Sequence, residues 1–351
     1  MRSLLSVLLI GVPVTLILCL VGLSHGMLED QSRRTRGIGA DIIIRPPGST
    51  AFQLTGSVSQ KFVDLFRGQP HVALALGVVN QPIEGLTVGA TGVDLAAFEQ
   101  MSGGFTFVSG GPFQHPDDVI IDEYYARQKH VAVGDRLELM NRSWRVAGIF
   151  ENGKLQRVVM PLGVLQDLTE KGKVTQIYLK LDNPANAAAV IQQLKSIKDL
   201  PDFKILSVEE FLSLFSVDSL PGLKEFVWVV VTIGVVIGFA VVCLSMYMAV
   251  LQRTREIGIL KSLGGSKAFI LRIILAEALI MGVGGTALGI VMSYGAWWLI
   301  KTLVPASIQM VIAYDWWPIA LLITLVGTGL GSLYPGFTAA QSDPIEALAY
   351  E

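Results

Sequence analysis

Four uninterrupted apolar runs, each long enough to cross a bilayer, constrain this chain more than anything else in it. A membrane span needs about 20 apolar residues to cover the hydrocarbon core. Leu4 to Ser24 qualifies, with no charge between Arg2 and Glu29. Phe226 to Leu251 qualifies, with none between Glu225 and Arg253. Ile273 to Ile300 carries one carboxylate, Glu277, and Trp316 to Ala339 carries none. The first run starts with Arg2, as a signal peptide would. It is longer than a typical signal core and no clear A-x-A site follows, so it reads as an uncleaved anchor.

The charges fall between these runs. Only 16% of the 351 residues are charged, against about 25% in a soluble protein. Of the 56 Asp, Glu, Lys and Arg residues, 43 lie between Glu29 and Glu225. The chain is therefore a polar block set among membrane spans. A net charge of −2 excludes a broadly basic nucleic-acid binder. The expected architecture is a membrane α-helical protein of four transmembrane helices, with a large extracytoplasmic α+β domain inserted between helices 1 and 2. The boundaries are residues 1–28 for the first helix, 29–225 for the domain, and 226–251, 273–300 and 316–340 for the other helices. A loop at 252–272, a short outer loop at 301–315 and a tail at 341–351 complete it.

Orientation follows from Lys and Arg near the span ends. The 252–272 loop holds Arg253, Arg255, Lys261, Lys267 and Arg272 against Glu256 alone. It should be cytoplasmic, with both termini, and the 29–225 block should lie outside. Trp228, Trp297, Trp298, Trp316 and Trp317 then gather at the outer interface, where amphipathic rings prefer to sit. Arg33, Arg34 and Arg36 cut the other way, since they follow the first span on the outer side behind Glu29 and Asp30.

Within the block, period-2 and short apolar runs predict strands at 41–45, 72–79, 119–122, 137–139, 144–150, 158–160 and 177–181. Helices are expected at 58–67, 123–130, 162–170, 185–200 and 208–215. No H-E-x-x-H, G-x-S-x-G, C-x-x-C or G-x-x-x-x-G-K-[ST] occurs. The cluster Asp117, Asp118, Asp122 and Glu123 reads as a solvated loop and helix N-terminus, where acids are favoured, with a metal site as the alternative. Cys19 and Cys243 lie in spans and read as apolar packing residues. The expectation is no catalytic residue, no metal and no cofactor in this chain.

The informative segment is Arg253-Thr-Arg-Glu-Ile-Gly-Ile-Leu-Lys-Ser-Leu-Gly-Gly-Ser-Lys267. As a helix, it places Ile257, Ile259, Leu260 and Leu263 on one arc with Glu256 in its middle, and turns Thr254 and Lys261 away. Gly264-Gly265 supplies a stop and Ser266 a cap for the next helix. Either this helix lies on the inner leaflet, or it docks a soluble partner. A carboxylate centred on the apolar face favours the second, unless Arg253 satisfies it locally.

These residues resemble a known pattern. Thr254–Ser266, TREIGILKSLGGS, is similar to the "REIGILKALGAS" signature of the FtsX/MacB-type permease family of ABC transporters. The likeness continues through Phe269-Ile-Leu-Arg and Ala276-Glu-Ala-Leu. It returns in Ala339-Ala-Gln-Ser-Asp-Pro-Ile-Glu-Ala-Leu, which resembles the family's "A…DPxEAL" tail. Val119–Phe150 looks like the family's periplasmic segment of helix, "VGD" and two strands.

The resemblance implies a dimer, most simply of two identical permease subunits, each with four spans and each docking a cytoplasmic ABC ATPase that binds ATP and Mg. It assigns the ATPase-coupling role to Arg253, Arg255, Glu256, Ile257, Gly258, Leu260, Lys261, Leu263, Gly264 and Lys267. It implies mechanotransmission: closure of the ATPases moves the spans and rearranges the outer domains, in the bacterial inner membrane. Export or efflux with a periplasmic adaptor and outer-membrane channel is one outcome. Lipoprotein or lipid extraction, control of wall hydrolases, or a membrane-anchored scaffold are alternatives. Many family members carry a basic amphipathic helix before span 1; either the start is truncated here or that helix is dispensable, and the fused ATPase domain of some members is not in this sequence. Glu277, the intramembrane charge, reads as a snorkelling or hydrogen-bonded group. Small pairs at Gly22/Gly26, Gly234/Gly238, Gly285/Gly289 and Gly327/Gly331 permit close helix packing. Asp343-Pro344-Ile345-Glu346 reads as a capped terminal helix.

Overall fold

A computed structural model describes residues 2–49, 56–84, 88–197, 200–214, 222–306 and 309–341. The chain forms two compact units. One comprises residues 1–25, 221–300 and 310–351; the other comprises 26–220 and 301–309. The DPxE segment at 343–346 lies outside the described residues.

In chain order the elements are α1 (Arg2–Arg36), β1 (Ile42–Arg45), β2 (Val58–Ser59), α2 (Lys61–Arg67), β3 (Val72–Glu84), β4 (Val88–Val93), α3 (Leu95–Ser102), β5 (Phe107–Gly110) and β6 (Asp118–Asp122). There follow α4 (Glu123–Lys129), β7 (Arg136–Leu139), β8 (Arg142–Phe150), β9 (Val158–Pro161), α5 (Leu162–Leu168), β10 (Lys173–Val174), β11 (Gln176–Leu181), α6 (Ala187–Lys195), β12 (Lys204–Ser207) and α7 (Val208–Ser213). The last four are α8 (Leu223–Gln252), α9 (Thr254–Ser262), α10 (Lys267–Leu303) and α11 (Trp316–Gln341). Four of these helices, α1, α8, α10 and α11, are long and apolar enough to cross a membrane.

The large domain is built on a ten-stranded mixed sheet, in the order β12-β1-β11-β3-β4-β9-β6-β8-β5, with β7 also on β8. β3 joins its two halves. Its first part pairs with β11, from Val72 to Val78, and its second with β4, from Val79 to Glu84. β1 reads Ile-Ile-Ile-Arg because it is covered on both faces. Ile42 and Ile44 enter one core with Phe66 and Leu194, while Ile43 enters another with Phe98 and Phe150. A third core surrounds Trp144 and Tyr125.

Several expectations need correction. The helix expected at 58–67 begins instead with β2, which pairs with β10, and α2 starts at Lys61. β4 and α3 were not expected. β4 reads Val-Gly-Ala-Thr-Gly-Val, and its second glycine is required by packing: a Cβ on Gly92 would lie 2.9 Å from the Leu165 Cβ of α5. α3 carries a full set of signals, with Asp94 Oδ1 accepting from Ala96 N and Ala97 N, and Gly103 stopping the helix at φ +75°. The short loop expected at 301–315 is divided, and its first part joins the large domain. There Ala306 N donates to Gln128 Oε1 at 2.9 Å, on α4.

In the helical unit, glycine decides the closest approach. A Cβ on Gly289 would stand 2.6 Å from Val14 Cγ1 and 2.9 Å from the Gly11 carbonyl oxygen, and one on Gly285 2.5 Å from Ile10 Cγ2. These two positions seat α1 on α10, where Thr15 Oγ1 also donates to Gly289 O at 3.2 Å. Gly331 seats α11 on α8, with the Phe239 carbonyl 2.9 Å from its would-be Cβ. Gly234 meets Ile17 at an ordinary 3.4 Å. A Cβ on Gly238 would meet nothing within 4 Å, so no close approach depends on that glycine, whereas Gly327 is buried and a Cβ there would reach Val235 Cγ1 at an ordinary 4.0 Å. Spacing alone cannot say which way a small pair faces.

Candidate functional site

α9 leaves α8 at Arg253 and ends in a reversal. Gly264, at φ +93°, donates to Lys261 O at 3.0 Å, and Gly265 N donates to Leu260 O at 2.9 Å. This pair of bonds is the Schellman stop, which needs a left-handed residue. Ser266 Oγ then accepts from Phe269 N at 3.2 Å and opens α10, which begins with Lys267.

The faces of α9 differ from the expected ones. Thr254 and Lys261 do not face away. Thr254 Oγ1 donates to Val250 O, and Lys261 Nζ donates to Ala340 O at 2.8 Å on α11. Gly258 is buried, and Ile257 is half-buried. The inward face is thus mixed: Ile257 packs on an apolar cluster, Gly258 allows close approach, and Lys261 meets a carbonyl near the end of α11. The outward face carries Arg255, Ile259 and Leu263, the last 80% exposed. Nor does Arg253 satisfy Glu256. Its Nη1 lies 3.3 Å from Glu277 Oε2, across to α10. Among the described residues no cation pairs with Glu256. Glu277 is therefore an ion-pair partner at the end of α8, and Lys267 is exposed at the start of α10.

A second constellation lies wholly in the large domain, and sequence reasoning missed it. α1 runs on to Arg36, well past the expected end at 28. Its last turns bury Arg34. That guanidinium donates to Asp30 Oδ2 at 2.8 Å, Leu155 O at 2.9 Å, Asn152 Oδ1 at 2.8 Å and Asp122 Oδ2 at 3.2 Å. Arg157 completes it, 2.7 Å from Asp122 and 3.4 Å from Asp30. Two carboxylates and two guanidiniums thus neutralise each other in a dry site. Burial first, and then Arg34, pull the pKa of Arg157 down, against the opposing pull of Asp122 and Asp30. Asp122 also accepts from Tyr125 N at 2.7 Å and caps α4.

The acidic cluster at 117–123 is accordingly only partly a solvated loop and helix N-terminus: Asp117 is exposed, and Asp122 with Glu123 opens α4. Asp118 and Asp122 are buried, and each is matched by arginine. The hydrogen bonds from Arg145, at 2.8 and 3.0 Å, outweigh burial and hold the Asp118 carboxyl at about 2, with Gln114 N and His115 N adding to the effect. No group of three His, Cys, Asp or Glu among the described residues could hold a metal. The outer-side arginines that opposed the expected topology are explained in part: Arg34 is consumed inside the domain, while Arg33 and Arg36 remain exposed.

Four membrane-spanning helices, an exposed amphipathic helix between the second and third, and an α+β domain inserted after the first define a permease-type membrane subunit. Residues 3–197 match the MacB-like periplasmic core domain, and residues 228–344 match the FtsX-like permease C-terminal domain. The chain belongs to the MacB/FtsX-like permease family of ABC transporters. It is 28% identical over 388 aligned positions to the macrolide export ATP-binding/permease protein MacB of Escherichia coli (strain K12), and equally so to that of Shigella sonnei. Each alignment takes in 100% of this chain and 58% of the relative, so the chain spans little more than half the length of those proteins. The crystal structure of the periplasmic region of MacB from Actinobacillus actinomycetemcomitans overlaps 50% of this chain and 92% of that one, with 14% identity and a TM-score of 0.38. The chain is an inner-membrane protein with its large domain in the periplasm.

Proposed function

We propose that this chain is the permease subunit that couples ATP hydrolysis by a separate cytoplasmic ATPase to a rearrangement of its periplasmic domain, for export or other envelope transport. The observation that carries the reading is α9. It presents Arg255, Ile259 and Leu263 outward, between two spans, and no element among the described residues covers them. An apolar side chain as exposed as Leu263 costs free energy in water and little in a partner's groove. Ile257, Gly258 and Lys261 lie on the side of α9 that meets the bundle, Arg253 pairs with Glu277 at its start, Glu256 and Leu260 are exposed beside them, and Gly264 ends the helix. ATP and Mg belong to the ATPase. α1 supplies the transmission. Its last turns are locked into the large domain through Arg34. Both termini lie in the cytoplasm in this reading, and the functional unit holds two permease subunits and two ATPases. An adaptor and an outer-membrane channel would engage the periplasmic domain.

The test is Leu263→Asp in the full-length chain, co-expressed with the ATPase. Placing a carboxylate at the centre of an apolar contact costs several kcal/mol. The expected result is loss of ATPase co-purification and of permease-stimulated hydrolysis, with normal membrane insertion. Retention of both at the wild-type level refutes the docking assignment.

A further inference from the structure

Beside α9 the helical unit has a half-open cavity of about 100 Å³. Its walls are apolar: Met246 and Val250 of α8, Ile257 of α9, and Ile270 and Ile274 of α10. Its rim is charged, with Arg253, Glu256 and Glu277. One water needs about 10–15 Å³ of such space, so the cavity holds a group of roughly seven to ten heavy atoms.

The rim is incompletely paired. Arg253 touches Glu277 through Nη1 alone, at the long distances of 3.3 and 3.4 Å. A guanidinium has five N–H donors in a fork suited to phosphate. Glu256 has no cation partner among the described residues. The rim therefore offers one guanidinium donor, Arg253, and two carboxylate acceptors, Glu256 and Glu277, over an apolar floor. A zwitterion with a phosphate and a primary ammonium complements both. An anionic headgroup satisfies Arg253 and leaves Glu256 facing negative charge.

We infer that this cavity is a binding site for an aminophospholipid headgroup, with the phosphate on Arg253 and the ethanolamine ammonium between Glu256 and Glu277. The walls come from α8 and α10, two helices apolar enough to span the membrane, and Ile273 beside them is exposed where acyl chains run. A protein partner has the other side of α9, at Arg255, Ile259 and Leu263. The lipid site rests on the membrane placement of the helices and not on ATPase docking, so the two fail separately.

The test uses the full-length chain in delipidated detergent, offered equimolar phosphatidylethanolamine and phosphatidylglycerol and read by native mass spectrometry. Charge-assisted hydrogen bonds of this kind give about a tenfold preference for the ethanolamine lipid. Glu256→Gln should erase that preference; Glu256 is exposed and makes no ion pair, so the fold should survive. Arg253→Gln should lower retention of both lipids. Leu263→Asp should leave the selectivity unchanged while removing the ATPase. Equal retention of the two lipids by the wild type overturns the proposal. So does an undiminished preference in Glu256→Gln, or displacement of the lipid by stoichiometric ATPase, which would give the cavity to the protein partner.

Discussion

Three arginines within four residues, Arg33, Arg34 and Arg36, should behave very differently when replaced by Met. Arg34 is 5% exposed and makes the four bonds described above. Its removal leaves Asp30 and Asp122 sharing Arg157 alone, with Asn152 and the Leu155 carbonyl each losing a donor. Breaking a buried ion pair from one side costs about 3–5 kcal/mol. For a domain of roughly 200 residues each kcal/mol lowers the melting temperature by about 2–4 °C, so Arg34→Met should lower it by about 10 °C. Arg33 is half exposed and reaches Glu29 only at 3.6 Å, an exposed pair on one helix face worth about 0.3–0.5 kcal/mol. Arg33→Met should shift melting by less than about 2 °C by the same conversion. The assay is protease resistance of the periplasmic domain against temperature, in the full-length chain in detergent. The double variant Asp30→Leu/Arg34→Met keeps the 2.7 Å Asp122–Arg157 pair and leaves no uncompensated charge, so it should regain at least half of the loss. If Arg34→Met costs no more than Arg33→Met, the network does not hold α1 in the domain.

Packing and pH offer two further checks. Gly289→Ala should destabilise the helical unit by about 1–3 kcal/mol, because its Cβ would meet Val14 and Gly11 below contact distance, whereas Gly238→Ala should stay within about 0.5 kcal/mol. Thermal loss of helicity in detergent measures both, and equal effects would discard the assigned helix contact. Asp118, held at about 2 against a normal 3.8, contributes stability that is present above about pH 4 and is lost as pH falls toward 2. The stability gap between wild type and Asp118→Asn should therefore close across that window, and a gap of the same size at pH 2.5 and pH 6 would contradict the assignment.

What could be read from the sequence depended on whether a signal was local. The spans were legible because each is one long apolar run. The stop at Gly264 was legible because only the chain next to it matters. Arg34 was not legible, since its partner Asp122 lies 88 residues away and nothing in the run Arg33-Arg34-Thr35-Arg36 marks which arginine turns inward. The faces of α9 were misread for a related reason. Apolar periodicity assumes that the buried side is the greasy side, yet here the bundle accepts Lys261 and Gly258 and leaves Leu263 outside. β4 was hidden by its glycines, of which Gly92 is required by the close approach of α5. α3 was legible and overlooked, with its Asp94 cap and Gly103 stop in plain order.

In the proposed function, events at α9 move the periplasmic domain. Ser109 is exposed on β5 of that domain. Spin labels on Ser109→Cys, placed on both copies in the assembled complex, report the distance between the two domains by double electron–electron resonance. The distribution should shift when a non-hydrolysable ATP analogue is added, and that shift should vanish with Leu263→Asp. An unchanged distribution in the otherwise wild-type complex, or the same shift in the Leu263→Asp variant, would contradict it.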